Sequence, residues 1–147
     1  MRTWLVAHDF SDSAKKALTQ ALELFAPTGG GRLVVLHVHE PGTDGFGVDI
    51  ATLAPGGTVE ETYHQEAKQT LARTLEGVSA PGVELVGRVA FGRPAHDLVE
   101  IAKEEGASMI VLGSHGRRGF ERFLLGSVAE RVVRQAECPV LVVKHGV

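Results

Sequence analysis

The stretch Val111–Ser127, VLGSHGRRGFERFLLGS, decides how this chain is read. It opens as an apolar run that reads as the end of a buried strand and breaks at Gly113. A polar, basic loop follows, and Gly126-Ser127 comes just before a helical pattern. Strand, loop and helix N-terminus in that order gather backbone N–H groups and the positive end of a helix dipole around one pocket. Such a pocket suits a phosphate chain. Gly113, Gly116 and Gly126 leave room for a ligand to approach the main chain. Ser127 offers an N-cap, or a hydroxyl and an N–H for a phosphate oxygen. Arg117, Arg118 and Arg122 lie in the same loop, either as a solvated surface or as groups that hold phosphates or a partner.

Outward from this stretch, strands and helices alternate. Trp4–Ala7 is a short apolar run without clean alternation, as expected of a strand covered on both faces. Ser11 offers an N-cap, and Ala14, Ala17, Leu18, Ala21, Leu22 and Phe25 follow at helical spacing. Pro27 and Gly29, Gly30 and Gly31 end that helix. The triple glycine leads into a strand, whereas a phosphate loop leads out of one, so it reads as a turn. Leu33–Val38 is the second strand, and Glu40 to Gly57 reads as a long connection that could cover a ligand. A helix is expected over Val59–Glu76, with Tyr63, Ala67, Thr70, Leu71 and Leu75 inward. Val83–Phe91 is the third strand, Pro94 opens a helix with Ala95, Leu98, Val99 and Ala102 inward, and Gly106 ends it. Ser108–Leu112 is the fourth strand. The last helix spans Ser127–Gln135 with Ala129, Val132, Val133 and Ala136 inward, and Val140–Val143 is a final strand. The alternation implies parallel pairing with right-handed crossovers, hence a three-layer α/β domain.

A chain of 147 residues suits one domain, residues 1–147, with one core. Its net charge of −3 argues against a general affinity for nucleic acid or anionic membrane, which favour clustered positive charge. No apolar run approaches the ~20 residues that span a bilayer. One cysteine, Cys138, makes no internal disulfide, and no signal peptide precedes the first strand, so a reducing cytoplasm is the expected location. Before Pro139 at a strand entrance, Cys138 reads as a packed residue and not as a nucleophile.

Two residues separate Gly113 from Gly116, and nine separate Gly116 from Gly126-Ser127. This spacing resembles the nucleotide-binding signature of the universal stress protein family, in its ATP-binding branch. The likeness extends to Val6-Ala7-His8-Asp9-Phe10-Ser11, Leu36-His37-Val38 and Cys138-Pro139-Val140-Leu141-Val142-Val143, and so covers essentially the whole chain. The resemblance implies a Rossmann-like sandwich of the adenine nucleotide alpha hydrolase type, with a five-stranded parallel sheet in the order 3-2-1-4-5. A ligand would then sit beyond the strands' carboxyl ends, where the strand order reverses. It implies ATP, with Mg or Mn as a companion for which the protein offers few ligands, and an adenine contact from Asp9. The bland reading of Asp9 is an acidic residue favoured by the first helix dipole. Ala7 and the Val38 backbone are implied on the adenine side, although other members often have proline at the former position. The backbones of Leu112, Gly113, His115, Gly116, Gly126, Ser127 and Val128 are implied on the phosphate side. Ala129 departs from the hydroxyl residue of some ATP-binding members, removing a hydrogen bond that contributes about 1 kcal/mol. A twofold dimer through Val140–Val143 is also implied, and it would close an apolar edge strand.

Other constellations are weaker. His37 and His39 share one face of a strand and His8 is adjacent, which suggests a metal, yet no Cys or Glu completes the set. His96 and Asp97 are sequence neighbours on a helix and read as a poor catalytic pair. There is no Walker lysine, no Gly-x-Ser-x-Gly elbow and no second carboxylate placed to orient a water. The reading is therefore an ATP-binding, nucleotide-responsive stress regulator or binding module. The alternatives are a weak ATP hydrolase or a nucleotide-independent dimeric interaction protein.

Overall fold

A computed structural model describes residues 1–40, 59–115 and 125–144. Within them the chain runs β1 (Thr3–Ala7), α1 (Asp12–Phe25), a short 3-10 turn (Ala26–Thr28), β2 (Gly31–His39), α2 (Val59–Leu75), β3 (Val83–Phe91), α3 (Pro94–Glu104), β4 (Met109–Gly113), α4 (Ser127–Gln135) and β5 (Val140–Val143). The strands form one parallel sheet in the order β3-β2-β1-β4-β5, the order implied by the resemblance. Every expected element is present. β2 extends beyond Leu33–Val38 at both ends, and β4 sits one residue later than Ser108–Leu112. The connection expected from Glu40 to Gly57 lies outside the described residues, apart from Glu40 itself.

Successive strand residues face opposite helical layers. Trp4, Val6, Leu33, Val35 and Val111 pack with Ala17, Leu18, Leu22 and Phe25 of α1 and Leu71 of α2. Leu5, Val34, Leu36, Ile110 and Leu112 pack with Leu98, Val99 and Ala102 of α3 and with Ala129 and Val132 of α4. With helices on both faces, β1 must be apolar at consecutive positions, and each buried Leu or Val contributes roughly 1.5–3 kcal/mol. In α2, Ala67 and Leu71 are buried, while Tyr63, Thr70 and Leu75 are only half-buried. Val133, expected inward, is 46% exposed. Ala129 and Val132 set the buried direction of α4, and at about 100° per residue Val133 falls on the far flank of Ala129.

The triple glycine is structural, as its position suggested. Gly30 has φ +73, and a Cβ there would lie 2.2 Å from the Gly82 carbonyl, so the turns entering β2 and β3 cross backbone to backbone. Nearby, Glu105 at the end of α3 accepts from Arg32 of β2 and from Arg88 of β3, the latter at 2.8 Å. Burial alone would raise the Glu105 pKa, but the hydrogen bonds and charges of the two arginines outweigh it and hold the carboxyl below its ordinary value. These ion pairs anchor α3 to the sheet.

At the carboxyl ends of the strands, the α1/α2 face is lined by histidines. His8, His37 and His39 are all buried. His37 Nδ1 donates to the His8 carbonyl at 2.8 Å. The Phe10 N–H donates to His8 Nδ1 at 3.0 Å, so the proton of neutral His8 resides on Nε2, which has no partner among the described residues. Phe10 holds a left-handed φ of 67, rare for a bulky residue, and its ring lies 4.6 Å from that of His37. The stack continues from His39 to Tyr63 and Phe91.

The start of α1 lies directly on the end of β4. A Cβ on Gly113 would meet Ser13 Oγ at 2.2 Å and the Ser13 carbonyl at 3.0 Å. Ser13 Oγ is itself buried and has no hydrogen-bond partner among the described residues. Gly113→Ala is therefore expected to lower stability by about 1–3 kcal/mol in urea denaturation. Ser13→Ala alone should be neutral or stabilising, because an unsatisfied hydroxyl is removed, and combined with Gly113→Ala it should recover part of the loss. A Gly113→Ala variant as stable as the parent would contradict this contact.

Burial lowers the His8 pKa from 6.5 to about 4, against a smaller raising effect of Asp9, with His37 and Lys15 lowering it further. The unfolded chain takes up this proton near pH 6.5 and the fold only near 4. The fold is thus undisturbed above that window and loses stability as pH falls through it, by at most about 3 kcal/mol. His8→Asn should flatten the stability profile between these limits. An unchanged wild-type-minus-variant difference across the window would show that His8 does not titrate there.

Candidate functional site

The site begins where β1 and β4 separate. Their pairing ends at Val6↔Val111, whereas β1 stays in register with β2 to Ala7↔Leu36 and β4 with β5 to Gly113↔Val143. β1 continues towards α1 on one face of the sheet, and β4 leads towards α4 on the other. A cleft of about 320 Å³ opens in the fork. Ala7, Leu36 and Val38 line it from β1 and β2, Pro94 and Leu98 from α3, Leu112 to His115 from the end of β4, and Gly126 to Ala129 from the start of α4.

One end of the cleft is apolar with a backbone reader. In a parallel ladder, alternate residues aim both peptide groups at the same neighbour. Leu36 aims at β1, because its carbonyl accepts from the His8 N–H at 2.8 Å. Val38, two residues on, aims the same way, where β1 has turned off. The rung that Val38 N–H would make to the His8 carbonyl is absent, and that carbonyl accepts from His37 Nδ1 instead. The Val38 peptide groups therefore face the cleft beside Leu36, Leu98 and Leu112, a slot suited to a flat heterocycle with edge donors and acceptors.

The other end is made of amides. Gly126 is the N-cap of α4 and Ser127 its first helical residue, so the capping role expected of Ser127 falls to Gly126, which has no side chain to cap with. Glu130 N–H is the first to reach back, to the Gly126 carbonyl at 3.0 Å. The N–H groups of Ser127, Val128 and Ala129 precede it and have no acceptor within the helix. The Gly126 N–H, expected on the phosphate side, donates to the Ser114 carbonyl at 2.7 Å. Ser114 in turn is tied to β5 through its N–H, which donates to Val143 at 2.9 Å. His115 Nδ1 lies 3.0 Å from Ser114 Oγ, and the ring borders the cleft.

Asp9 lines the cleft and also organises the turn into α1, since its Oδ1 accepts from the Ser11 N–H at 3.0 Å and from the Ser11 hydroxyl. Ser11 Oγ then caps α1, accepting from Ala14 N–H at 3.1 Å. Asp9 therefore lines the cleft and orders the turn into α1 at the same time.

Nine of the residues singled out in sequence converge on this cleft: Ala7, Asp9, Val38, Leu112, Gly113, His115, Gly126, Ser127 and Val128. Gly116, with Arg117, Arg118 and Arg122, lies outside the described residues. Sequence reading missed His8, Ala14, Leu36, Pro94, Leu98 and Ser114 as cleft-lining residues. Leu36 was signalled by its two-residue offset from Val38, and Leu98 by its one-turn offset from Pro94. His96 and Asp97, expected to diverge, do meet: His96 Nδ1 lies 2.9 Å from Asp97 Oδ1. Both are near the start of α3, where Asp97 also accepts from the Arg93 N–H at 2.8 Å and swings towards the helix end. The His96 hydrogen bond is the chief cause that lowers the Asp97 pKa. Neither residue lines the cleft. Among the described residues, no group of three His, Cys, Asp or Glu is arranged to hold a metal ion, and no helix is long and apolar enough to cross a membrane. Cys138 is half-buried, and that burial pushes its thiol above the ordinary value.

Three similarities bear on this site. Universal stress protein YxiE of Bacillus subtilis is 35% identical over 144 residues, covering 95% of this chain and 97% of its own length. The structure of protein MJ0577, whose curated sequence is from Methanocaldococcus jannaschii, superposes with a TM-score of 0.82 at 27% identity, covering 99% of this chain and 97% of that one. A universal stress protein from Archaeoglobus fulgidus solved in complex with dAMP superposes with a TM-score of 0.63 at 29% identity, covering 97% of each chain. The model of the universal stress protein family matches residues 1–144, and the chain belongs to that family.

Proposed function

We propose that this chain is an ATP-binding universal stress protein that acts in the cytoplasm as a nucleotide-responsive regulator or binding module. The observation that carries this reading is the pairing, across one cleft, of the open Val38 peptide groups and the uncommitted first-turn amides of α4. A purine edge finds donors and acceptors at the first, and a phosphate chain finds N–H groups and the helix dipole at the second. The dAMP complex of the Archaeoglobus fulgidus relative supports an adenine nucleotide as the ligand class. The cleft volume lies at the lower end of the range for small-molecule sites, as expected for a ligand whose phosphates extend outward. The described residues that line the cleft include no lysine, and the reading is of a nucleotide held and at most slowly hydrolysed.

A second part of the proposal is a homodimer through β5. This strand lies at an edge of the sheet, and Val140, Leu141 and Val142 are half-buried in the single chain. An apolar edge of this kind is closed by antiparallel pairing with its symmetry mate.

Calorimetry on nucleotide-stripped protein should show ATP binding with a Kd below about 1 mM. Ser127→Glu should keep the fold, because a carboxylate in the first turn favours a helix, yet it should weaken ATP by at least about tenfold through repulsion of the phosphates. Absent binding in the parent chain, or equal affinity in the variant, would remove the reading. Light scattering at micromolar concentration should give twice the chain mass, and a monomer would exclude the β5 dimer.

A further inference from the structure

Beside the cleft lies a second hollow of about 330 Å³, between the start of α3 and the outer face of α4. Pro94, Ser127 and Val128 line both, so the hollow opens directly off the amide end of the cleft. Arg93 and Arg131 are among the residues that line it, with Gln135 one turn further along α4. Ser127, Arg131 and Gln135 recur every four residues and so share one helix face. Elsewhere Arg32, Arg88 and Arg134 each sit against a carboxylate, and Arg2 and Arg73 donate to Thr28 and Thr70. Arg93 and Arg131 make no close side-chain ion pair among the described residues, although the charge of Arg93 acts on Asp97 nearby, and Glu40 is the acidic residue that lines their hollow. His96 also borders it, and its Nδ1 is engaged by Asp97.

Two arginines that share a hollow are suited to a phosphate, because each guanidinium is a planar fork that can donate to it bidentately. The purine slot and the α4 amides already account for a base and one phosphate chain. We infer that the Arg93–Arg131 hollow is a subsite for an additional phosphate group carried by the adenine nucleotide in the cleft. The inference rests on the nucleotide reading above and narrows it to a ligand class: adenine nucleotides with more phosphate than one ordinary 5′ chain. That phosphate has two chemical sources, a ribose 3′-phosphate or an extended 5′ chain.

Calorimetry on the stripped full chain distinguishes them. Adenosine 3′,5′-bisphosphate is compared with AMP, and adenosine 5′-tetraphosphate with ATP. One of the two extended nucleotides is expected to bind at least about tenfold more tightly than its parent. In the Arg93→Ala, Arg131→Ala double variant that gain should vanish, while the parent nucleotide stays within about threefold of wild type. Arg131→Glu, in which only one exposed side chain changes, should make the extended nucleotide bind more weakly than its parent. Equal affinity of parent and extended nucleotides in wild type, or a gain that survives both variants, overturns the subsite while leaving ATP binding intact. Failure of every adenine nucleotide to bind overturns the subsite and the nucleotide reading together.

Discussion

The site depends on β1 and β4 parting early, one residue before β1 leaves β2 and two residues before β4 leaves β5. A right-handed crossover that carries the chain towards β2 and β3 must pass on one face, and one that carries it back to β4 and β5 on the other. β1 therefore ends by turning towards α1, and β4 by turning towards α4, away from each other. No side chain has to create the cleft, because the topology leaves a fork there. What the sequence controls is how the fork is lined: small at Ala7 and Gly113, apolar at Leu36, Val38 and Leu112, and open amides at Ser127 and Val128.

The two faces at this end of the sheet have been put to different uses. On the α3/α4 face the residues are small or aliphatic and leave a cleft. On the α1/α2 face the alternate positions hold His8, His37 and His39, and their rings fill the space with Phe10, Tyr63 and Phe91. The faces are joined through backbone, since the His8 carbonyl accepts from the His37 ring where the next rung to Val38 would fall. A buried histidine thus holds the backbone at the rim of the cleft without lining it.

The fold was legible because its signals are local and redundant. Apolar runs at Trp4–Ala7 and Leu33–Val38 read as strands buried on both sides, and the stripe from Ala14 to Phe25 reads as a helix. Strand order was not legible from periodicity, and the resemblance supplied it. Most site residues were legible through the glycine spacing and the end of β1. The misses differ in cause. Pro94 and Leu98 reach the cleft from an element distant in sequence, and Ser114 acts through backbone bonds that no side-chain pattern reveals. Val133 and Ser127 failed differently: each was placed from a period or a preference that is indifferent to a shift of one residue, and tertiary packing settled that shift.

The Gly126 amide illustrates why a committed hydrogen bond can serve binding. Bonded to the Ser114 carbonyl, it is one donor fewer for a phosphate. Yet Ser114 is fastened by its own N–H to Val143 at the end of β5, so the bond ties the start of α4 to the rim of the sheet. The next three amides are then held in helical array before any ligand arrives, and the entropy of ordering them is not charged against binding. A glycine N-cap, which contributes no side-chain acceptor, leaves those amides uncovered where Ser or Asp would fold back on them. Asp9 follows the same logic at the opposite rim, where its bonds to Ser11 fix the carboxylate and start α1 in one arrangement. Both rims of the fork are thus fastened by hydrogen bonds within the chain itself.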